Sequence, residues 1–81
     1  TAAEEASYLS KLCRQVHLLV RGDHMRASHI MQQRISQREN IIVHFQTQVQ
    51  EILGDEAVVG VSLVDKKKQI TYELPVQGVF I

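Results

Sequence analysis

Two short apolar runs constrain this chain most: residues 15–20, Gln-Val-His-Leu-Leu-Val, and residues 40–45, Asn-Ile-Ile-Val-His-Phe. Each is nearly continuous in aliphatic residues rather than alternating. That is the pattern of a strand covered on both faces, as in a parallel sheet. Between them, the spacing predicts a helix from about residue 24 to 36, with Asp23 as its N-cap. Its inward face would use Ala27, Ile30, Met31 and Ile35. Strand, helix and strand in this order are the makings of a parallel pair joined by a crossover. A further helix is predicted over residues 2–13, with Ala2, Ala6, Leu9 and Cys13 as its apolar stripe. Glu4 and Glu5 in its first turn, with Lys11 and Arg14 near its last, suit the helix dipole.

The second half changes period. Residues 47–53, 58–64 and 70–74 alternate, and they are separated by Gly54-Asp55-Glu56 and by Lys66-Lys67-Lys68. Three alternating segments with turns between them predict an antiparallel meander. Pro75 ends it, and residues 78–81 are expected to form another buried strand. The lysine run is a solvated hairpin tip that keeps the edge from pairing. The 81 residues make one domain, residues 1–81, with little core to spare. The expected class is α/β: a parallel sheet covered by helices, with an antiparallel β-meander as crossover. An α/β sheet that opens with a helix lacks the strand that should precede it. The chain is therefore expected to be incomplete at its N-terminus, and the sheet edge left bare predicts self-association.

Charge and cysteine usage narrow the functions. Nine basic residues balance nine acidic ones, so there is no footprint for nucleic acid or for an anionic membrane surface. No apolar run approaches the roughly 20 residues that cross a bilayer. Cys13 is the only cysteine, which leaves no CxxC and suits a reducing compartment, here taken as the cytoplasm. It is expected to be a small packed hydrophobe. His17, His24, His29 and His44 lack the spacing of a metal site. Tyr8 and Tyr72 are expected to be packing residues, and no catalytic residue is assigned.

What remains is a nucleotide reading. In a dinucleotide-binding βαβ unit, a glycine-rich turn leads into the first helix, whose start receives the pyrophosphate. Thr1 and Ala2 could be the last two residues of a G-x-G-x-x-A turn, or simply an alanine-rich helix start. About 20 residues further on, at the end of the next strand, an acidic residue would hold a ribose 2′-hydroxyl, whereas an arginine would accommodate a 2′-phosphate. That place is occupied by Arg21, with Arg26 following. Two guanidinium groups favour a dianion, and Gly22 between them permits close approach of a ligand. Alternatively, both arginines are solvated loop residues. Glu4 and Glu5 either face the nicotinamide end or form a solvated first-turn pair.

These residues carry a resemblance. Thr1-Ala-Ala-Glu-Glu-Ala-Ser-Tyr-Leu-Ser10 resembles the helix after the glycine-rich turn of thioredoxin reductases. Val16-His-Leu-Leu-Val-Arg-Gly-Asp-His-Met-Arg-Ala27 resembles their 2′-phosphate loop, usually written H-R-R-x-x-x-R-A. Glu51-Ile-Leu-Gly-Asp55, Val59-Gly-Val-Ser-Leu63 and Tyr72-Glu-Leu-Pro-Val-Gln-Gly-Val-Phe80 resemble the meander and the returning strand. Two positions depart from the family: Val20 stands where it has His, and Gly22 where it has its second Arg. The resemblance implies a parallel, Rossmann-like three-layer nucleotide-binding domain lacking its first strand, cut from an FAD-dependent parent enzyme that draws hydride from NADPH and reduces thioredoxin or another disulfide. This chain would supply NADPH contacts from Thr1, Ala2, Arg21, Gly22 and Arg26. FAD would bind the remainder of the flavoenzyme, and the isolated chain would be inactive. The rival reading is a truncated or stand-alone α/β interaction domain that binds no cofactor.

Overall fold

The computed structural model describes residues 2–79. Thr1 and the end of the expected last strand, Phe80 and Ile81, lie outside the described residues. The chain runs helix α1 (Ala2–Leu9), strand β1 (Val16–Leu19), helix α2 (His29–Gln37), strand β2 (Ile41–His44), then β3 (Thr47–Leu53), β4 (Gly60–Asp65) and β5 (Ile70–Leu74). The α/β class holds. β1 and β2 pair in parallel, Val16 opposite Ile41 and Leu19 opposite His44. β3, β4 and β5 form a separate antiparallel meander in sequence order.

Side chains alternate across a strand, and the parallel pair uses this to separate two faces. Leu18 and Ile41 point to the helices, where they are buried with Ala3 and Ala6 of α1 and Ile35 of α2; Val16 and Val43 pack against the same cluster. Alanines on α1 let the helix lie close to β1. His17 and His44 consequently fall on the opposite face. Burying a side chain such as Leu18, Ile35 or Ile41 stabilises by about 1.5–3 kcal/mol each, and with the two alanines they make a small core.

Both helices differ from the sequence expectation at their ends. α1 stops at Leu9 rather than at residue 13, and its buried line is Ala3, Ala6 and Ser10, not Ala2 and Cys13. The cause is capping. Asn40 Nδ2 donates to the carbonyls of Ser10 (2.7 Å) and Cys13 (3.0 Å), and the chain tightens into i→i−3 turns at Lys11 and Leu12. Carbonyls left open at a helix end are satisfied by such partners. Cys13 lies exposed in that turn and packs into no core, contrary to expectation.

α2 begins at His29, with Ser28 and not Asp23 as its N-cap: Ser28 Oγ accepts from the Met31 N–H at 3.2 Å. Upstream, the Gln32 side-chain amide donates to the carbonyls of Met25 and Ala27, which holds that segment outside the helix. Asp23 is engaged instead with His24 at 2.7 Å. Of the expected inward face, Ile35 is buried, Met31 and Ala27 are half-buried, and Ile30 is exposed.

The meander follows its expected boundaries closely. Gly54 turns the first hairpin at φ 125°, where an added Cβ would sit 2.0 Å from the Ala57 carbonyl oxygen; only glycine fits such a place. Asp65 Oδ1 accepts from the Lys67 and Lys68 N–H groups and closes the second hairpin. The lysines stay solvent-exposed. Gly78 and Val79 carry no strand.

Candidate functional site

The loop after β1 is held from beneath. The Val20 N–H donates to the His44 carbonyl (2.8 Å), the Thr47 N–H to the Val20 carbonyl (3.1 Å) and the Gln46 N–H to the Gly22 carbonyl (2.9 Å). Gln46 accepts a left-handed φ of 53° to make this tight β2–β3 turn. Three backbone bonds thus anchor the root of the loop to the carboxyl end of β2. From Arg21 to His24 the chain is exposed.

An open cavity of about 480 Å³ lies beside that loop, lined by Glu4, His24, Met25, Arg26, Ala27, Ser28 and Met31. The fold therefore joins the first turn of α1, the loop and the start of α2 around one space. Arg26 is on its wall. Arg21 is exposed on the same loop but does not line the cavity, and Ala2 is exposed at the start of α1 without lining it. Gly22 has room around it: a Cβ there would meet nothing nearer than the His24 carbonyl oxygen at 3.8 Å. Its backbone does not require glycine, and the place would hold a side chain.

The cavity mixes charges. Arg26 supplies a guanidinium and Glu4 a carboxylate. The Asp23 carboxyl is held below its ordinary range, chiefly by the hydrogen bond from His24 and then by its own backbone. Arg26 and the start of α2 can donate to an anion in this cavity, with the Glu4 carboxylate on the same wall opposing it.

Sequence reasoning passed over a second polar group. His17 Nδ1 and His44 Nε2 stand 2.9 Å apart across the parallel pair, and Tyr72 Oη lies 3.5 Å from His44 Nδ1. The signal was present: one histidine interrupts each apolar run. Pairing them needed the register, which sets His17 beside Ile42 and Leu19 beside His44. Burial lowers the basicity of both rings, and the proximity of His44 lowers that of His17 further. Among the described residues, no group of three or more His, Cys, Asp or Glu side chains is placed to hold a metal ion.

Comparison with known proteins decides the family. Residues 1–68 match the model of the pyridine nucleotide-disulphide oxidoreductases. The chain belongs to that family. Its curated relatives include thioredoxin reductase of Vibrio cholerae, 42% identical over 85 residues that cover 100% of this chain and 27% of that protein. NADPH-dependent thioredoxin reductase 3 of Arabidopsis thaliana is 51% identical over 55 residues, 68% of this chain and 10% of that protein. Among solved structures, thioredoxin reductase of Lactococcus lactis superposes with a TM-score of 0.91 at 32% identity, covering 96% of this chain and 26% of that one. The Streptococcus pyogenes enzyme superposes with the same score at 29% identity. This member of the family spans about a quarter of the length of the full-length thioredoxin reductases it matches.

Proposed function

We propose that this chain is part of the NADPH-binding domain of a thioredoxin-reductase-like flavoenzyme, and that it supplies the adenosine 2′-phosphate end of the cofactor site. The observation that carries the reading is the cavity between the first turn of α1 and the β1–α2 loop, with Arg26 on its wall and Arg21 on the same loop. That is where a dinucleotide-binding unit receives its adenosine half. The residues fit the group: a guanidinium for a phosphate dianion, open space at Gly22, and a helix start for the pyrophosphate, to which Thr1 and Ala2 would contribute. When bound, NADPH supplies the hydride, FAD carries it onward, and the acceptor is thioredoxin or another disulfide. This chain's residues bind and orient the adenosine end; none of them is assigned a chemical step.

In this reading the domain is a Rossmann-like three-layer unit. A further strand and a glycine-rich turn precede α1, and the FAD-binding remainder of the enzyme is the partner. β1 pairs only with β2 among the described residues, so the isolated chain would offer an open edge for self-association. Among the described residues no helix is long and apolar enough to cross a membrane, and the proposed compartment is the cytoplasm.

The test is cofactor discrimination in the intact enzyme. Each charge-assisted contact is worth about 1.5–3 kcal/mol. Arg21→Ala with Arg26→Ala should weaken NADPH at least tenfold relative to NADH. An equal loss for both cofactors, measured by titration, would remove the 2′-phosphate reading. Single variants should rank Arg26 above Arg21, because only Arg26 lines the cavity.

A further inference from the structure

The cofactor reading leaves one polar cluster unused: His17 of β1, His44 of β2 and Tyr72 of β5. It joins the face of the parallel pair that the helices leave open to the meander. The two imidazole centroids are 5.1 Å apart with nitrogens at 2.9 Å, so the rings meet nearly head-on. The two nitrogens point at each other instead of converging on a third point. That geometry is an N–H···N hydrogen bond, in which one ring must donate and the other must accept.

The cluster sits at the root of the candidate site. The His44 carbonyl accepts the Val20 N–H, and two residues on, the Gln46 N–H donates to the Gly22 carbonyl. His44 is thus the last residue of a strand whose end carries the anchor of the Arg21 loop. We propose that His17 and His44 are positioning residues for that loop, and that loading both rings with protons breaks their bond and releases it. This inference rests on the loop being part of the cofactor site.

The charge logic is simple. The groups facing these rings are each other and the Tyr72 hydroxyl; among the described residues no carboxylate, lysine or arginine is hydrogen bonded to either. One shared proton leaves an N–H···N bond intact and charge-assisted. A second proton removes the acceptor and sets two cationic rings against each other. Both rings are less basic than the ordinary histidine value of 6.5. The folded protein therefore holds fewer protons here than the unfolded chain. The stabilisation is present above pH 6.5 and is lost as pH falls through the lower folded values.

The experiment follows the intact enzyme from pH 5 to 8 in three ways: thermal unfolding, imidazole and loop-amide resonances, and binding of 2′-phospho-AMP. In the native protein, the two rings should titrate as a coupled pair below pH 6.5. The amide resonances of residues 21–26 should follow that titration without any ligand. Binding at pH 5 should fall about fivefold further, relative to pH 8, than it does in His44→Gln, the worth of roughly one hydrogen bond. His44→Gln replaces the titrating ring with an amide that can still bond to His17, and it should flatten the acid-side loss in every readout. Should that variant not fold, His17→Asn makes the same test.

Rings that titrate independently near 6.5, or a His44→Gln protein with the native acid-side loss, would overturn the proposal. The cofactor reading fails separately: loop amides that track the pair, together with 2′-phospho-AMP binding indifferent to Arg26→Ala, would keep the joint and discard the site.

Discussion

The two halves of this chain are built on different terms. In the first, α1, β1, α2 and β2 pool a few residues each into one buried cluster; the end of α1 is closed by Asn40 from a distant segment, and Gln32 of α2 folds back to hold residues 25–27 out of the helix. In the second, β3–β5 form a meander whose boundaries come from its own hairpins, with Gly54 and Asp65 at the turns. Its inner positions are tight, with Leu63 fully buried, yet Val49, Ile52 and Ile70 remain 43%, 44% and 48% exposed. Local turn chemistry is enough to draw the meander, whereas the nucleotide half depends on contacts between elements. The candidate site lies in the half that depends on assembly.

That contrast can be broken by mutation. The largest effect is expected in the shared cluster. Ile35→Ala removes a side chain only 2% exposed and should cost about 2–5 kcal/mol. Ile52→Ala on the open face of the meander should cost about 1 kcal/mol or less. Equal losses in denaturant unfolding would show that the two halves share one core after all.

A smaller effect separates the two candidate caps of α2. Ser28→Ala should cost about 1 kcal/mol, the worth of an N-cap. Asp23→Ala should stay within about 0.5 kcal/mol, as for an exposed surface residue. The reverse order would return the helix start to residue 24.

The smallest effect concerns Gly22. With open space around it and no left-handed φ, Gly22→Arg should change stability by no more than about 0.5 kcal/mol. In the intact enzyme it should raise the preference for NADPH over NADH by supplying the arginine that the related loop carries there. A large loss of stability would mean that the loop closes on Gly22 more tightly than its surroundings indicate.

Much of this was legible in the chain. The parallel pair, the helix between its strands and the three strands of the meander all follow from apolar periodicity, because burial on one or two faces writes directly into residue spacing. The loop holding Arg21 and Arg26 was legible for the same reason, since it begins where the first apolar run ends. Helix ends were not. Asp23 and Ser28 are both good caps by type, and the side chain of Gln32, folded back on residues 25 and 27, decides between them. The buried line of α1 was misplaced by one position: alanines at 2, 3 and 6 read alike until β1 is set against one side.

By itself, then, the sequence determined the class of fold, the order of its elements and the basic loop after β1. Each of these depends on the period of burial or on residue type along a continuous segment. Only the tertiary structure decided that Arg26 and not Arg21 lines the cavity with Glu4, that Cys13 is exposed, and that His17 meets His44 at 2.9 Å. The physical reason is register. Two residues 27 positions apart become hydrogen-bond partners only when β1 and β2 pair as Val16 with Ile41. Slipping either strand by one residue would turn that strand's own histidine toward the core and part the pair.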